Sequence, residues 1–276
     1  MSAADTQTGA AASQTIADPH VTDAALRPAL FDWLCRMGDS TLILAQRLSA
    51  WCGHGPALEE DIALTNIALD LIGHTQLWLG LAGEVENDGR SADDLAYLRD
   101  AMAFRNNLLV EVPDDDDIAV TTMRQFLFDA FHYELLQQLV ESSSPRVSEI
   151  AAKALKEVSY HIERSTDLVI RLGDGSDESH RRMQAALDRL WSYTGDMFVS
   201  DDVDDAIATA GIAPRPDALR DDWLARIEVV MKGATLTVPE GGFVHVGGKT
   251  GRHTEHLGYI LAEMQFLQRA YPGASW

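Results

Sequence analysis

Three carboxylate–imidazole pairs carry the chemistry this chain could perform. Asp70 stands four residues before His74, and Glu157 stands four residues before His161. Asp129 stands three residues before His132, and Glu134 follows. Side chains three or four apart on a helix share a face, so each pair would deliver its two groups to one cavity. Carboxylates and imidazoles converging from several helices make metal centres in helix bundles. An iron pair takes roughly four carboxylates and two imidazoles, the histidines arriving in Glu-x-x-His. That spacing is broken here: the residue three before His74 is Leu71, and the residue three before His161 is Val158. An earlier helix contributes Asp39 next to an inward-facing Thr41.

Two readings of these residues follow. With the facing glutamates absent, His74 and His161 are satisfied core histidines. A single remodelled metal on Asp129, His132, Glu157 and His161 is compatible with the spacing, although nothing demands it. His253, Glu255 and His256 resemble a ligand cluster, but they open a helix. There an acid suits the dipole, and the histidines serve as caps or interface groups. Arg181 with Arg182, and Lys249 with Arg252, could meet phosphates; two adjacent bases on a solvated face are the simpler expectation. No Ser-His-Asp order, glycine-rich phosphate loop or C-x-x-C occurs.

The elements that position these residues are helical. A first helix from about Pro28 to Trp51 carries the stripe Leu34, Met37, Thr41, Leu44 and Leu48, spaced three and four apart. A second runs from about Pro56 to Gly83, with Glu59, Glu60 and Asp61 in its first turn. A shorter helix opens at Ser91, with Asp94 as a capping-box partner, and ends near Asn106. Leu108–Val112 could be extended. The third long helix follows the Asp114–Asp117 run and reaches about Glu141. The fourth spans about Val147–Leu172 and the fifth about Glu178–Val199. Shorter helices are expected near Asp201–Ala210 and Asp217–Lys232. Leu236–Gly251 has strand or loop character, and a last helix covers about His253–Tyr271. The pattern predicts an all-α four-helix bundle with additional C-terminal helices. Trp51, Trp78, Trp191 and Trp223 are expected in the core or at helix interfaces.

With 276 residues, 46% of them hydrophobic, the chain can bury a large core. The expected organisation is a disordered N-terminal tail over 1–19 and a single domain over 20–276. The tail lacks the basic start and apolar middle of a signal peptide. A net charge of −21 repels phosphate backbones and anionic membranes, so nucleic acid and membrane are unfavourable partners. Cys35 and Cys52 lie too far apart along one helix to pair, at ~1.5 Å of rise per residue. Free thiols suit a reducing cytoplasm.

The stretches GDSTLILAQRLSAWCGHGPALEEDIALTNIALDLIGH (38–74), KALKEVSYHIERSTDLVIRLGDGS (153–176) and GGKTGRHTEHLGYILAEMQFLQRAYPG (247–273) strongly resemble the structural C-subunit of the bacterial phenylacetyl-CoA epoxidases. The resemblance runs from about Arg36 to the C-terminus. It implies a ferritin-like fold and a non-catalytic structural subunit of a multicomponent oxygenase of phenylacetate catabolism. It implies pairing with, and stabilisation of, a related di-iron catalytic partner, and contact with a small bridging subunit. The iron pair would sit in the catalytic partner, whose electrons come from NADPH through a separate reductase, and this chain would hold no cofactor. In that family the catalytic partner carries helix patterns like D-E-A-G-H and K-E-E-S-F-H. Asp70, Gly73 and His74 match the first with Leu71 in place of the ligand glutamate. Lys156, Glu157, Ser159 and His161 match the second with Val158 in that place. Asp129 falls at a retained carboxylate position, and Thr41 falls at a lost one. The expected vestige is therefore His74, Asp129 and His161, with Asp129 hydrogen-bonded to one or both histidines. Alternatives are a metal-binding oxidase in its own right, and a module that binds CoA thioesters.

Overall fold

Helix-starting chemistry is explicit along the chain. Pro28 and Pro145 occupy first turns, where a missing N–H is harmless. Ser91 and Asp94 form the reciprocal capping box expected of their spacing. The structure, a computed structural model, describes residues 18–274. Among these it contains α1 (Pro19–Thr22), α2 (Arg27–Ser49), α3 (Leu58–Glu86), α4 (Ala92–Tyr97), α5 (Ile118–Leu139), α6 (Pro145–Gly173), α7 (Asp177–Thr194), α8 (Asp202–Thr209), α9 (Arg220–Gly233), α10 (Glu255–Met264) and α11 (Phe266–Ala270). The described residues form no strand. The fold is all-α, as expected.

Two helical hairpins make the bundle. In the first, α2 packs along α3, with Trp33 and Trp78 meeting edge to face at 6.1 Å. In the second, α5 packs along α6. The hairpins face each other through antiparallel α3 and α6. Glu60 pairs with Arg164, Asp70 with His161, His74 with Glu157 and Glu84 with Arg146, so numbering rises along one helix as it falls along the other. From Ala119 to His132 every residue of α5 is buried, because α6, α7 and α9 wrap it. Helix α8 packs on α2, and α10 leans on the α2 side. Trp78 and Trp223 are buried in the core, and Trp191 stacks on Trp223 at 5.6 Å.

Several boundaries depart from the sequence reading. Helix α3 runs past Gly83 and turns off at Asn87, whose φ of 59° is left-handed. Gly83 is there for close approach: a Cβ would sit 2.2 Å from the Arg90 carbonyl oxygen. Leu108–Glu111 is a 3₁₀ turn, not an extended segment. The fifth predicted helix stops at Thr194 and tightens into a 3₁₀ turn over Gly195–Phe198, because Asp196 accepts hydrogen bonds from the backbone of Leu108 and Gly247. The last predicted helix breaks at Gln265, whose buried amide donates to the carbonyls of Ala96 and Arg99. Leu236–Gly251 is a loop that ends in a 3₁₀ turn over Gly248–Thr250. Cys52 lies in the turn after α2.

Of the expected tail, residues 1–17 lie outside the described residues. Asp18 and Pro19 correct its end. Asp18 is buried, caps α1, and accepts from the Ser144 hydroxyl and the Arg146 amide. No helix of the described residues is long and apolar enough to cross a membrane.

Candidate functional site

Helix α3 brings His74, α5 brings His132 and α6 brings His161 to one buried point. The His74 ring lies 5.8 Å from His132 and 6.5 Å from His161, centroid to centroid. His74 and His161 are held crosswise. His74 Nε2 lies 2.6 Å from Glu157 Oε2 on α6, and His161 Nε2 lies 3.0 Å from Asp70 Oδ2 on α3. Each carboxylate precedes a histidine by four residues on its own antiparallel helix. The two pairs therefore exchange partners across the seam rather than closing within a helix.

A carboxylate oxygen accepts, so Nε2 of each ring is the donor. Nδ1 of His74 and of His161, and both nitrogens of His132, are buried without a hydrogen-bond partner. Burial pulls His74 below the usual histidine range, although Glu157 opposes it. Burial pulls His132 well below that range, and its neighbours His74 and His161 add to the effect.

Asp129 does not take the expected partners. It accepts from the Gln125 amide at 2.5 Å and from the Ser165 hydroxyl at 2.9 Å, while the histidines bond to Asp70 and Glu157. The reason is reach: Gln125 is one turn earlier on the same helix and Ser165 faces it from α6. Burial nevertheless lifts the Asp129 carboxyl to about 6, against the favourable pull of His161 and both donors.

The three positions that the resemblance marks as lost ligands are closed. Leu71 and Val158 are both 0% exposed, filling the spaces beside His74 and His161 with methyl groups. Thr41 is buried, its hydroxyl engaged with Thr75 at 2.8 Å and with the Gly38 and Met37 carbonyls. An iron pair bridged by carboxylates needs roughly four of them. Here Asp129 is committed to neutral donors, and Glu157 and Asp70 are hydrogen-bonded to His74 and His161, so the donor set does not fit an iron pair. Among the described residues no three His, Cys, Asp or Glu side chains are grouped to hold a metal ion.

The other candidates have structural partners. His253 Nδ1 lies 2.9 Å from the buried Glu111 carboxylate, and its Nε2 lies 3.0 Å from the Phe104 carbonyl. Burial lowers the His253 pKa, but the hydrogen bond and charge of Glu111 win and raise it. Arg181 pairs with Glu178, and Arg182 pairs with Asp117. Lys249 is on no solvated face: it is buried against Asp204 and the Val199 carbonyl. Arg252 is exposed. Asp39 is buried against Arg99 and the Arg105 amide rather than joining the histidines. Glu134 pairs with Arg226.

Two features are not evident from the sequence. One is the place of His132 beside His74 rather than in a metal set with Asp129 and Glu157. The other is the crosswise pairing, whose available signal is the repeated four-residue carboxylate-to-histidine spacing on two helices destined to run antiparallel.

Comparison with known proteins gives two findings. The family described as phenylacetic acid catabolic protein matches residues 4–276. A curated relative, the C-subunit of the 1,2-phenylacetyl-CoA epoxidase of Escherichia coli (strain K12), is 46% identical over 241 residues. The match covers 87% of this chain and 96% of that protein.

Proposed function

Since this chain belongs to the phenylacetic acid catabolic protein family, we propose that it is a non-catalytic structural subunit of a phenylacetyl-CoA 1,2-epoxidase. It pairs with a di-iron catalytic partner and keeps that partner folded and soluble. A ferritin-like bundle suits the task because it presents long, rigid helix faces to a related bundle.

The observation that carries this reading is the closed donor set. Leu71 and Val158 fill the ligand positions, and the remaining imidazoles are paired to Glu157 and Asp70. His74, Asp129 and His161 are then the vestige of a metal site rather than a working one. What the chain's own residues do is mechanical. The crosswise pairs clamp α3 to α6, and the buried Arg99–Asp39 pair ties α2 to the segment after α4. The name of the E. coli relative and the extent of the match support assembly with other epoxidase subunits.

Co-expression with the catalytic partner tests the proposal. The two chains are expected to co-purify, with iron in the partner and none in this chain purified alone. The catalytic partner is expected to lose solubility when this chain is omitted. Near-stoichiometric iron on this chain alone, bound through His74 and His161, would establish the metal-oxidase alternative instead.

A further inference from the structure

A cavity of about 50 Å³ lies between α2, α5 and the C-terminal turns. Trp33, Met37, Phe128, Phe131 and Leu135 give it an apolar wall, and His132 stands in that wall. Pro214 and Pro216 are its only lining residues that are not buried, so they mark its mouth.

His132 is 2% exposed, and neither ring nitrogen has a partner. A neutral imidazole offers one N–H and one lone pair, and leaving both unmet in the interior is costly. The charged lining groups are already committed. The Arg36 guanidinium is held by Asp32, Asp201 and Asp204, and the Lys249 ammonium by Asp204. The Thr41 hydroxyl bonds to Thr75, and the Ser40 hydroxyl accepts from Asn107. A charged occupant would find no counter-ion to spare. An occupant matched to His132 is neutral and both donates and accepts, which is what a hydroxyl does.

We propose that this cavity is a binding site for a small neutral hydroxyl compound, held through His132 with its carbon part against Trp33, Phe128 and Leu135. At ~30 Å³ of liquid volume per water, the cavity holds about one or two waters, which sets the size at roughly that of methanol. Water is the smallest member of the same class and would occupy the site until displaced. A CoA thioester is far too large and too anionic for it. The site does not depend on the chain's role as a structural subunit.

The test uses the full chain with histidine ring carbons labelled, titrated with methanol and, separately, with xenon. The expected result is a saturable shift of the His132 resonance with methanol. The binding constant should weaken roughly tenfold in His132→Leu and be largely kept in His132→Gln, consistent with one lost hydrogen bond. An unmoved His132 resonance in the wild-type chain overturns the proposal whatever the variants do. So does xenon binding without alcohol binding, which would mark a dry apolar void.

Discussion

His74 on α3 and Glu157 on α6 meet Nε2 to Oε2 at 2.6 Å, and the same two helices return the exchange through Asp70 and His161 at 3.0 Å. The carboxylates are about one-third exposed and the imidazoles buried, so each pair links the bundle interior to its surface. A double-mutant cycle on Glu157→Ala and His74→Phe is expected to give a coupling of roughly 0.5–1.5 kcal/mol, kept modest by solvent at the carboxylate. The parallel cycle on Asp129→Ala and His74→Phe should give less than about 0.5 kcal/mol, because they share no hydrogen bond. Reversed magnitudes in urea unfolding would restore the Asp129–histidine pairing.

Acid should weaken the fold through the buried histidines. The folded pKa values of His74 and His132 lie below the unfolded value of ~6.5. The unfolded chain therefore takes up protons first. This contribution to stability is intact above about pH 6.5 and is lost as pH falls below it. Urea midpoints between pH 7.5 and 5 should fall for the wild-type chain and fall less steeply for His132→Leu. Identical slopes would mean that His132 is not held neutral by burial.

Asp129 acts in the opposite direction. Its folded pKa of about 6 lies above its unfolded value of ~3.9, so folding favours the protonated form. Its contribution is full below about pH 4 and is lost as pH rises through 6. Asp129→Asn should accordingly gain stability relative to wild type between pH 4 and pH 7, by at most about 3 kcal/mol. A difference between the two proteins that stays constant over that range would refute the raised pKa.

Ion pairs should sort by burial. Arg99→Leu leaves Asp39 charged and fully buried, and is expected to cost about 3–5 kcal/mol. Arg171→Ala removes an exposed pair with Asp167 and should cost less than about 0.5 kcal/mol. Thermal or urea unfolding of both variants compares them directly, and equal losses would contradict the buried placement.

Glutamates at Thr41, Leu71 and Val158 should confer metal binding. The combined variant Thr41→Glu, Leu71→Glu and Val158→Glu is expected to bind iron near stoichiometrically where the wild-type chain does not. A folded triple variant with no iron by metal analysis would show that these three are not the ligand positions.

Parts of the fold were legible because they depend on neighbours in sequence. The three-and-four stripe of the first helix, the Ser91–Asp94 box and the acid-rich first turn of α3 are local, and each gave a helix in the right place. Gly83 misled because its role is a contact with the Arg90 backbone, which propensity cannot reveal. The single last helix misled because Gln265 is drawn out of register by carbonyls about 170 residues away.

The closed donor set was partly readable too. Residue types and helical spacing alone set Leu71 and Val158 one turn before His74 and His161, and so excluded Glu-x-x-His. The partners those histidines take were not readable. A carboxylate four residues before a histidine can serve its own helix or the opposing one, and Asp129 can face an imidazole or a hydroxyl. Packing α3 antiparallel to α6 decided the first, giving Asp70 to His161 and Glu157 to His74, and packing α5 along α6 decided the second, giving Ser165 to Asp129. Local spacing chooses which side chains share a face, whereas hydrogen bonds in a low-dielectric core go to whatever the tertiary fold brings within 3 Å.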